Sequence, residues 1–139
     1  KESSAASDVY KRQSGGCQAE IGSGSGMTAA AICAVRGGSA VQMGHACAMA
    51  LKNLMGLVCD PVAGLVEVPC VKRNVGGAVN ALAAADMSLA GIISQIPVEQ
   101  VIDAMGEVGM KMDVSLRETS LGGVAVSPRG LEIAESLGL

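Results

Sequence analysis

The sequence predicts an all-α fold, a compact helical domain rich in glycine and alanine. No stretch alternates between apolar and polar residues with the period of two that a half-buried strand requires. Half of the 139 residues are apolar, yet the chain has one Tyr, no Phe and no Trp, beside 19 Gly and 8 Met. This composition favours thin helices that approach one another closely, with methionine filling the remaining gaps.

Start and stop signals define the first two helices. We expect the first to cover residues 17–35, weakened by glycines near its start and ended by two more glycines. Ser39 can cap the second helix, because its hydroxyl can accept from the free N–H groups of the first turn. We expect this helix to continue towards Cys59, since Asp60-Pro61 is the first strong stop signal.

Three further helical segments follow a loop that is bounded by prolines. The third helix covers residues 70–91 and is apolar almost all round, so we expect it to be buried. Pro97 starts the fourth, with acidic residues in its first turn. After a short helical turn beyond Ser115 and a Gly122-Gly123 loop, the last helix covers residues 128–137.

Charge and hydropathy exclude two classes of partner. The 10 Lys+Arg against 13 Asp+Glu give a net charge of −3, so we expect no nucleic-acid binding. No apolar run approaches the roughly 18–20 residues that span a bilayer, so we expect no membrane insertion. The five cysteines are an odd number without a C-x-x-C pair or a secretory signal. We therefore expect a reducing, cytoplasmic location.

The first thirteen residues differ in composition from the rest. The string SSAASDVYKRQ resembles an in-frame translation of a common transposase sequencing adapter. We therefore expect residues 1–13 to be a non-native leader and residues 14–139 to be the C-terminal part of a longer catalytic domain. A solvated native tail is the alternative for the leader.

Three of the cysteines lie at predicted helix ends, where side chains from distant segments can converge. These are Cys17, Cys59 and Cys70, whereas Cys33 and Cys47 lie within helices and suit the role of small buried apolar residues. A helix N-terminus also favours a thiolate. The spacings match no common zinc motif, so both a three-thiolate site and three unrelated buried cysteines remain open at this point.

The strings around these cysteines are more specific. CQAEIGSGSGMTAAA begins at Cys17, and GLVCDPVAGLVEVPCVKRN contains Cys59 and Cys70. With NALAAADMSLAG, IPVEQVIDAMGEVG and LRET, they closely resemble the catalytic α chain of the iron–sulfur-dependent L-serine dehydratases. The resemblance covers essentially residues 16–139.

The resemblance implies a [4Fe–4S] cluster held by Cys17, Cys59 and Cys70, and the conversion of L-serine to pyruvate and ammonia. Three cysteine ligands leave one iron open to act as a Lewis acid, which suits a reaction that must expel a hydroxyl group. No electron is transferred in this reaction. No lysine has a recognisable context for a pyridoxal phosphate Schiff base.

Three further residues are candidate catalytic residues. Lys52 precedes Cys59 by two turns if the second helix is continuous. Arg73 and Asn74 follow Cys70 by one helical turn, so Arg73 could hold the serine carboxylate and Asn74 could contact a cluster sulfur or the substrate. Asp60 suits a loop cap, and the general base stays unassigned.

The family resemblance also implies partners that this chain lacks. Family members carry an additional, mostly α/β region, either as a separate β subunit or as a fused β domain, and we expect an oligomer. We expect the chain alone to be inactive. Two alternatives remain: a helical structural or binding domain with a three-thiolate zinc site, and another iron–sulfur hydro-lyase that acts on a 2-hydroxy acid.

Overall fold

The computed structural model describes residues 15–139, and over that range the chain forms five α-helices joined by short 3-10 segments. They are α1 (Ser23–Val35, preceded by the π-helical turn Gln18–Gly22), α2 (Ala40–Asn53), α3 (Cys70–Leu89), α4 (Val98–Lys111) and α5 (Pro128–Leu137). The predicted all-α class is confirmed. The expected leader, residues 1–13, lies outside the described residues. No helix in the described part of the chain has the length and hydropathy needed to cross a bilayer.

The predicted starts of α2, α4 and α5 are confirmed, and each has a local cause. The Ser39 hydroxyl accepts from the backbone N–H of Gln42, while the Gln42 side chain accepts from the backbone N–H of Ser39. This reciprocal pair satisfies two N–H groups that would otherwise lack partners. Pro97 precedes α4, and the Ser127 hydroxyl accepts from Gly130 at the start of α5.

The predicted continuation of α2 to Cys59 is wrong. The helix ends at Asn53, and Gly56 adopts a left-handed backbone with φ of 87°. Side-chain and backbone atoms of Gln18 hold this turn, because Gln18 Oε1 accepts from the Gly56 N–H at 2.8 Å and the Gln18 N–H donates to Leu57 O at 2.9 Å. The segment that leads to Cys59 therefore runs beside the π-helical turn.

Small side chains fill the main core, where α1, α2 and α3 meet. Its buried members include Ala29, Cys33, Ala46, Ala50, Ala81, Ala84 and Ala85. Gly26 shows how close the helices are, because a Cβ there would meet Leu51 at 3.0 Å and the Cys47 sulfur at 3.2 Å. Gly26, near the start of α1, therefore allows α1 and α2 to pack closely. Such close packing is expected of a core without large rings.

The expectation that α3 is buried all round is wrong. One of its faces packs in the core, but the other leaves Val71, Val75, Val79 and Leu82 between 45% and 62% exposed. These residues recur at helical spacing, so they form one continuous apolar stripe along α3. An exposed stripe of this kind is typical of a surface that another protein segment covers.

Candidate functional site

The structure brings the three predicted cysteines together. Cys17 precedes the π-helical turn, Cys59 lies in the loop after α2, and Cys70 is the first residue of α3. All three are buried, with 2%, 3% and 6% of their surfaces exposed. The Cys59 thiol donates a hydrogen bond to the Cys17 sulfur. Cys70 lies close enough to Cys17 for the charge of Cys17 to raise the pKa of Cys70. Three separate chain segments thus supply sulfur to one buried region.

The surroundings of Cys17 favour its thiolate. The hydrogen bond from Cys59, together with the charge and a hydrogen bond of Arg73, lowers the pKa of Cys17 to about 7, although burial and the charge of Glu20 act in the opposite direction. A thiolate is the form of cysteine that binds metals. Cys17 is therefore substantially ionised near neutral pH.

The pKa values of the other two cysteines, Cys59 and Cys70, are raised. The pKa of Cys59 is raised, first because its thiol donates to Cys17 and then because it is buried. Burial also raises the pKa of Cys70, and the charge of Cys17 adds to that effect. A cluster that bound all three sulfurs would thus displace protons mainly from Cys59 and Cys70.

A buried ion pair ties the cysteine-bearing segments to one another. Arg73 Nη1 donates to Asp60 Oδ1 at 2.6 Å and to the backbone oxygen of Val58 at 2.8 Å. The side chain of Asp60 is only 2% exposed, and its Oδ2 also accepts from the Val124 N–H at 2.7 Å. Asp60 is therefore a buried partner of Arg73. The sequence suggested only a loop cap, because nothing local reveals a partner thirteen residues away.

The Leu116–Thr119 motif, which is the LRET string of the family resemblance, lies beside Cys59. The Cys59 N–H donates to Leu116 O and the Glu118 N–H donates to Cys59 O, both at 2.8 Å. Glu118 has a φ of 66° and Ser120 one of 57°, although neither is glycine. Such strained conformations concentrate at functional sites. The motif therefore holds Cys59 in place and carries a carboxylate close to it.

The catalytic candidates lie in different places. Lys52 Nζ donates to Ser94 Oγ at 2.9 Å, so it points to the loop before α4. The spacing that related Lys52 to Cys59 required a continuous helix, and α2 ends before it. Asn74 lines a cavity between α1 and α3, whereas Arg73 touches Cys17 and Asp60. Only Arg73 is in direct contact with the cysteines.

The donor set consists of cysteine side chains, the usual ligands of iron–sulfur clusters. Among residues 15–139, no three His, Cys, Asp or Glu side chains are arranged to hold one metal ion. Soft thiolate ligands beside the positive charge of Arg73 match the chemistry of iron–sulfur binding.

Gly123 provides a test of how tightly this region is packed. Its φ is 62°, and a Cβ there would clash with Asp60 Oδ2. We expect Gly123→Ala to lower the free energy of unfolding by about 2 kcal/mol, since it adds a steric clash to left-handed strain. Gly91→Ala is the control, with φ of 90° and nothing within 4 Å, and should cost about 1 kcal/mol. Equal losses in urea unfolding would show that the contact with Asp60 is unimportant.

The sequence is similar to those of known serine dehydratases. A family model described as "Serine dehydratase alpha chain" matches residues 12–125. The chain is 60% identical over 123 residues to the "Probable L-serine dehydratase, alpha chain" of Bacillus subtilis (strain 168), which is 88% of this chain and 41% of that protein. It is also 60% identical over 119 residues to the protein of the same description from Latilactobacillus sakei, which is 86% of this chain and 57% of the relative.

A more distant relative is the "L-serine dehydratase TdcG" of Escherichia coli (strain K12), which is 42% identical over 112 residues, 80% of this chain and 25% of the relative. The chain thus spans between 41% and 57% of the length of the first two relatives. Since the family model covers most of the sequence, the chain belongs to the serine dehydratase alpha chain family.

Proposed function

We propose that this chain supplies the cluster-binding part of an L-serine ammonia-lyase, which converts L-serine to pyruvate and ammonia. The observation that carries the proposal is the meeting of Cys17, Cys59 and Cys70 in one buried region of a serine dehydratase alpha chain family member. These three sulfurs would hold a [4Fe–4S] cluster.

The cluster would supply one iron with an open coordination position, a Lewis acid for the serine hydroxyl. The protein residues prepare that chemistry. With a pKa of about 7, Cys17 is about half ionised near neutral pH, so this ligand loses its proton more readily than an ordinary thiol. Arg73 places a positive charge beside the sulfurs, and the buried carboxylate of Asp60 fixes its position. Asn74 lies one helical turn beyond Cys70 and offers an amide to the substrate.

The reaction itself needs no oxidant or reductant. Loss of the Cα proton and the β-hydroxyl of serine gives aminoacrylate and water. Its tautomer, an imine, then takes up one water and releases ammonia to leave pyruvate. The site must therefore hold the amino acid, direct its hydroxyl to the metal and admit water.

The complete enzyme requires more than this chain. The exposed stripe on α3, Val71, Val75, Val79 and Leu82, supports a covering partner, for which we propose a β subunit or a fused β domain in an oligomer. All five cysteines are free thiols within the described residues, which supports a reducing cytoplasmic setting.

Anaerobic reconstitution of the complete enzyme with iron and sulfide tests this function. We expect a brown protein that absorbs blue light and releases pyruvate from L-serine. Malate and other 2-hydroxy acids serve as control substrates and should give no product. A colourless protein that binds zinc instead, or turnover of the 2-hydroxy acids alone, would contradict the proposal.

A further inference from the structure

A small cavity lies between the π-helical turn, α1 and α3. Its volume is about 250 Å³, and its polar lining comes from Glu20, Ser25, Thr28 and Asn74. Drug-sized ligands occupy pockets of roughly 300–1,000 Å³, so this cavity suits a smaller molecule. The Glu20 carboxylate, the Asn74 amide and the Thr28 hydroxyl in so small a space indicate a compact ligand with polar groups.

Two residues that line the cavity follow cysteines closely along the chain. Glu20 follows Cys17 by three residues in the π-helical turn, and Asn74 follows Cys70 by four residues on the same side of α3. The carboxylate of Glu20 is close enough to Cys70 to contribute, after burial and Cys17, to the raised pKa of that thiol. The chain around Glu20 is π-helical, a conformation that often marks functional sites.

The walls of the cavity are held firmly. Ser25 is 5% exposed, donates to Gly77 O at 2.8 Å and accepts from Asn80 Nδ2 at 2.9 Å. A Cβ at Gly77 would meet Ile21 at 2.7 Å, so α3 lies directly against the π-helical turn there. At Gly24, by contrast, a Cβ would meet nothing within 4 Å. The open space beside Gly24 therefore lies next to a tight contact between α3 and the π-helical turn. That contact prevents the two elements from closing over the cavity.

We propose that this cavity binds the substrate amino acid, with the Glu20 carboxylate accepting from its ammonium group. Asn74 and Thr28 donate to its carboxylate, and the hydroxyl-bearing carbon faces the cysteines. This assignment rests on the proposed function and adds to it the residue that recognises the amino group. A carboxylate on an ammonium group is a strong, charge-assisted contact, and it selects amino acids over 2-hydroxy acids.

Two other cavities near the cysteines suit this substrate less well. One of about 470 Å³ lies against α4 and is lined mostly by apolar atoms, while the Gln18 amide on its wall bonds to Gly56 and Met105. Another, of about 410 Å³, contains Glu118, but the hydroxyls of Thr119 and Ser120 there donate to backbone oxygens. Glu118 is therefore the competing carboxylate that the test must include.

The test compares variants of the complete enzyme. Gly24→Leu fills the cavity, and Gly44→Leu is its control, because a Cβ at Gly44 on α2 also meets nothing within 4 Å. Glu20→Gln removes the charge while it keeps the shape, and Glu118→Gln does the same at the competing cavity. Calorimetric L-serine binding, the KM for L-serine and the cluster absorbance are measured for each.

We expect Gly24→Leu and Glu20→Gln each to weaken L-serine binding and raise KM by about tenfold or more, with cluster absorbance retained. Gly44→Leu should behave like the unaltered enzyme. Unchanged affinity in Glu20→Gln, or a loss confined to Glu118→Gln, would overturn the assignment. An unaltered enzyme that forms no cluster would instead refute the proposed function, and the calorimetric comparison would still decide where L-serine binds.

Discussion

The Cys59→Ala variant of the complete enzyme is expected to lose its iron and acid-labile sulfide, whereas Cys47→Ala is expected to keep both. Cys59 is 3% exposed and hydrogen-bonded to Cys17, so its removal takes one of the three proposed cluster ligands and also the donor that stabilises the Cys17 thiolate. Cys47 packs beside Ala48, Leu51 and Val101, and its loss should cost only about 1 kcal/mol of stability.

Iron and sulfide assays with visible absorbance after anaerobic reconstitution measure this difference, and L-serine turnover should fall with the cluster content. The two variants remove the same atoms from the same residue type, so a general effect of thiol loss would appear in both. Loss of colour in Cys47→Ala with retention in Cys59→Ala would reverse the ligand assignment.

The second large effect is expected at the buried ion pair. Asp60→Ala leaves Arg73 without its carboxylate and the Val124 N–H without its acceptor, so we expect a loss of about 3 kcal/mol. This figure lies at the low end for buried pairs, because the Arg73 side chain is 20% exposed and water can partly replace the lost partner.

Asp86→Ala provides the matched control, since Asp86 also pairs with an arginine, Arg36. That pair is on the surface, with side chains 62% and 47% exposed, and should contribute less than about 1 kcal/mol. Urea unfolding of the chain measures both losses. Similar losses for the two variants would mean that Asp60 does not hold the cysteine segments together. A destabilised Asp60→Ala variant should also bind its cluster more weakly.

Local chemistry made most of the fold predictable. Ser39, Pro97 and Ser127 each act within a few residues, so the sequence alone indicates where α2, α4 and α5 begin. The end of α2 depends instead on a contact from Gln18 to Gly56, thirty-eight residues along the chain. Nothing in the sequence around Gly56 reveals that partner, and the apolar residues there read as a continued helix.

The site shows the same division between local and distant causes. Helix ends pointed to Cys17 and Cys70, because a terminus can direct a side chain towards other segments. Cys59 was predicted at the end of a helix that stops at Asn53, so it lies in a loop instead. The roles of Asp60 and Glu118 were not visible, since each depends on residues that are distant in sequence. A carboxylate next to a proline, or inside a charged tetrapeptide, looks the same whether it lies in solvent or in a buried network.

The contact between Cys17 and Cys59 has a consequence for how such an enzyme is assembled. Two adjacent thiols, one ionised near neutral pH, are also the reactants of a cystine. An oxidant that accepts two electrons would join them and remove two of the three proposed cluster ligands in one event. Under the proposed function, oxidation before cluster binding would block loading, and a reductant that reopens the bond would restore it.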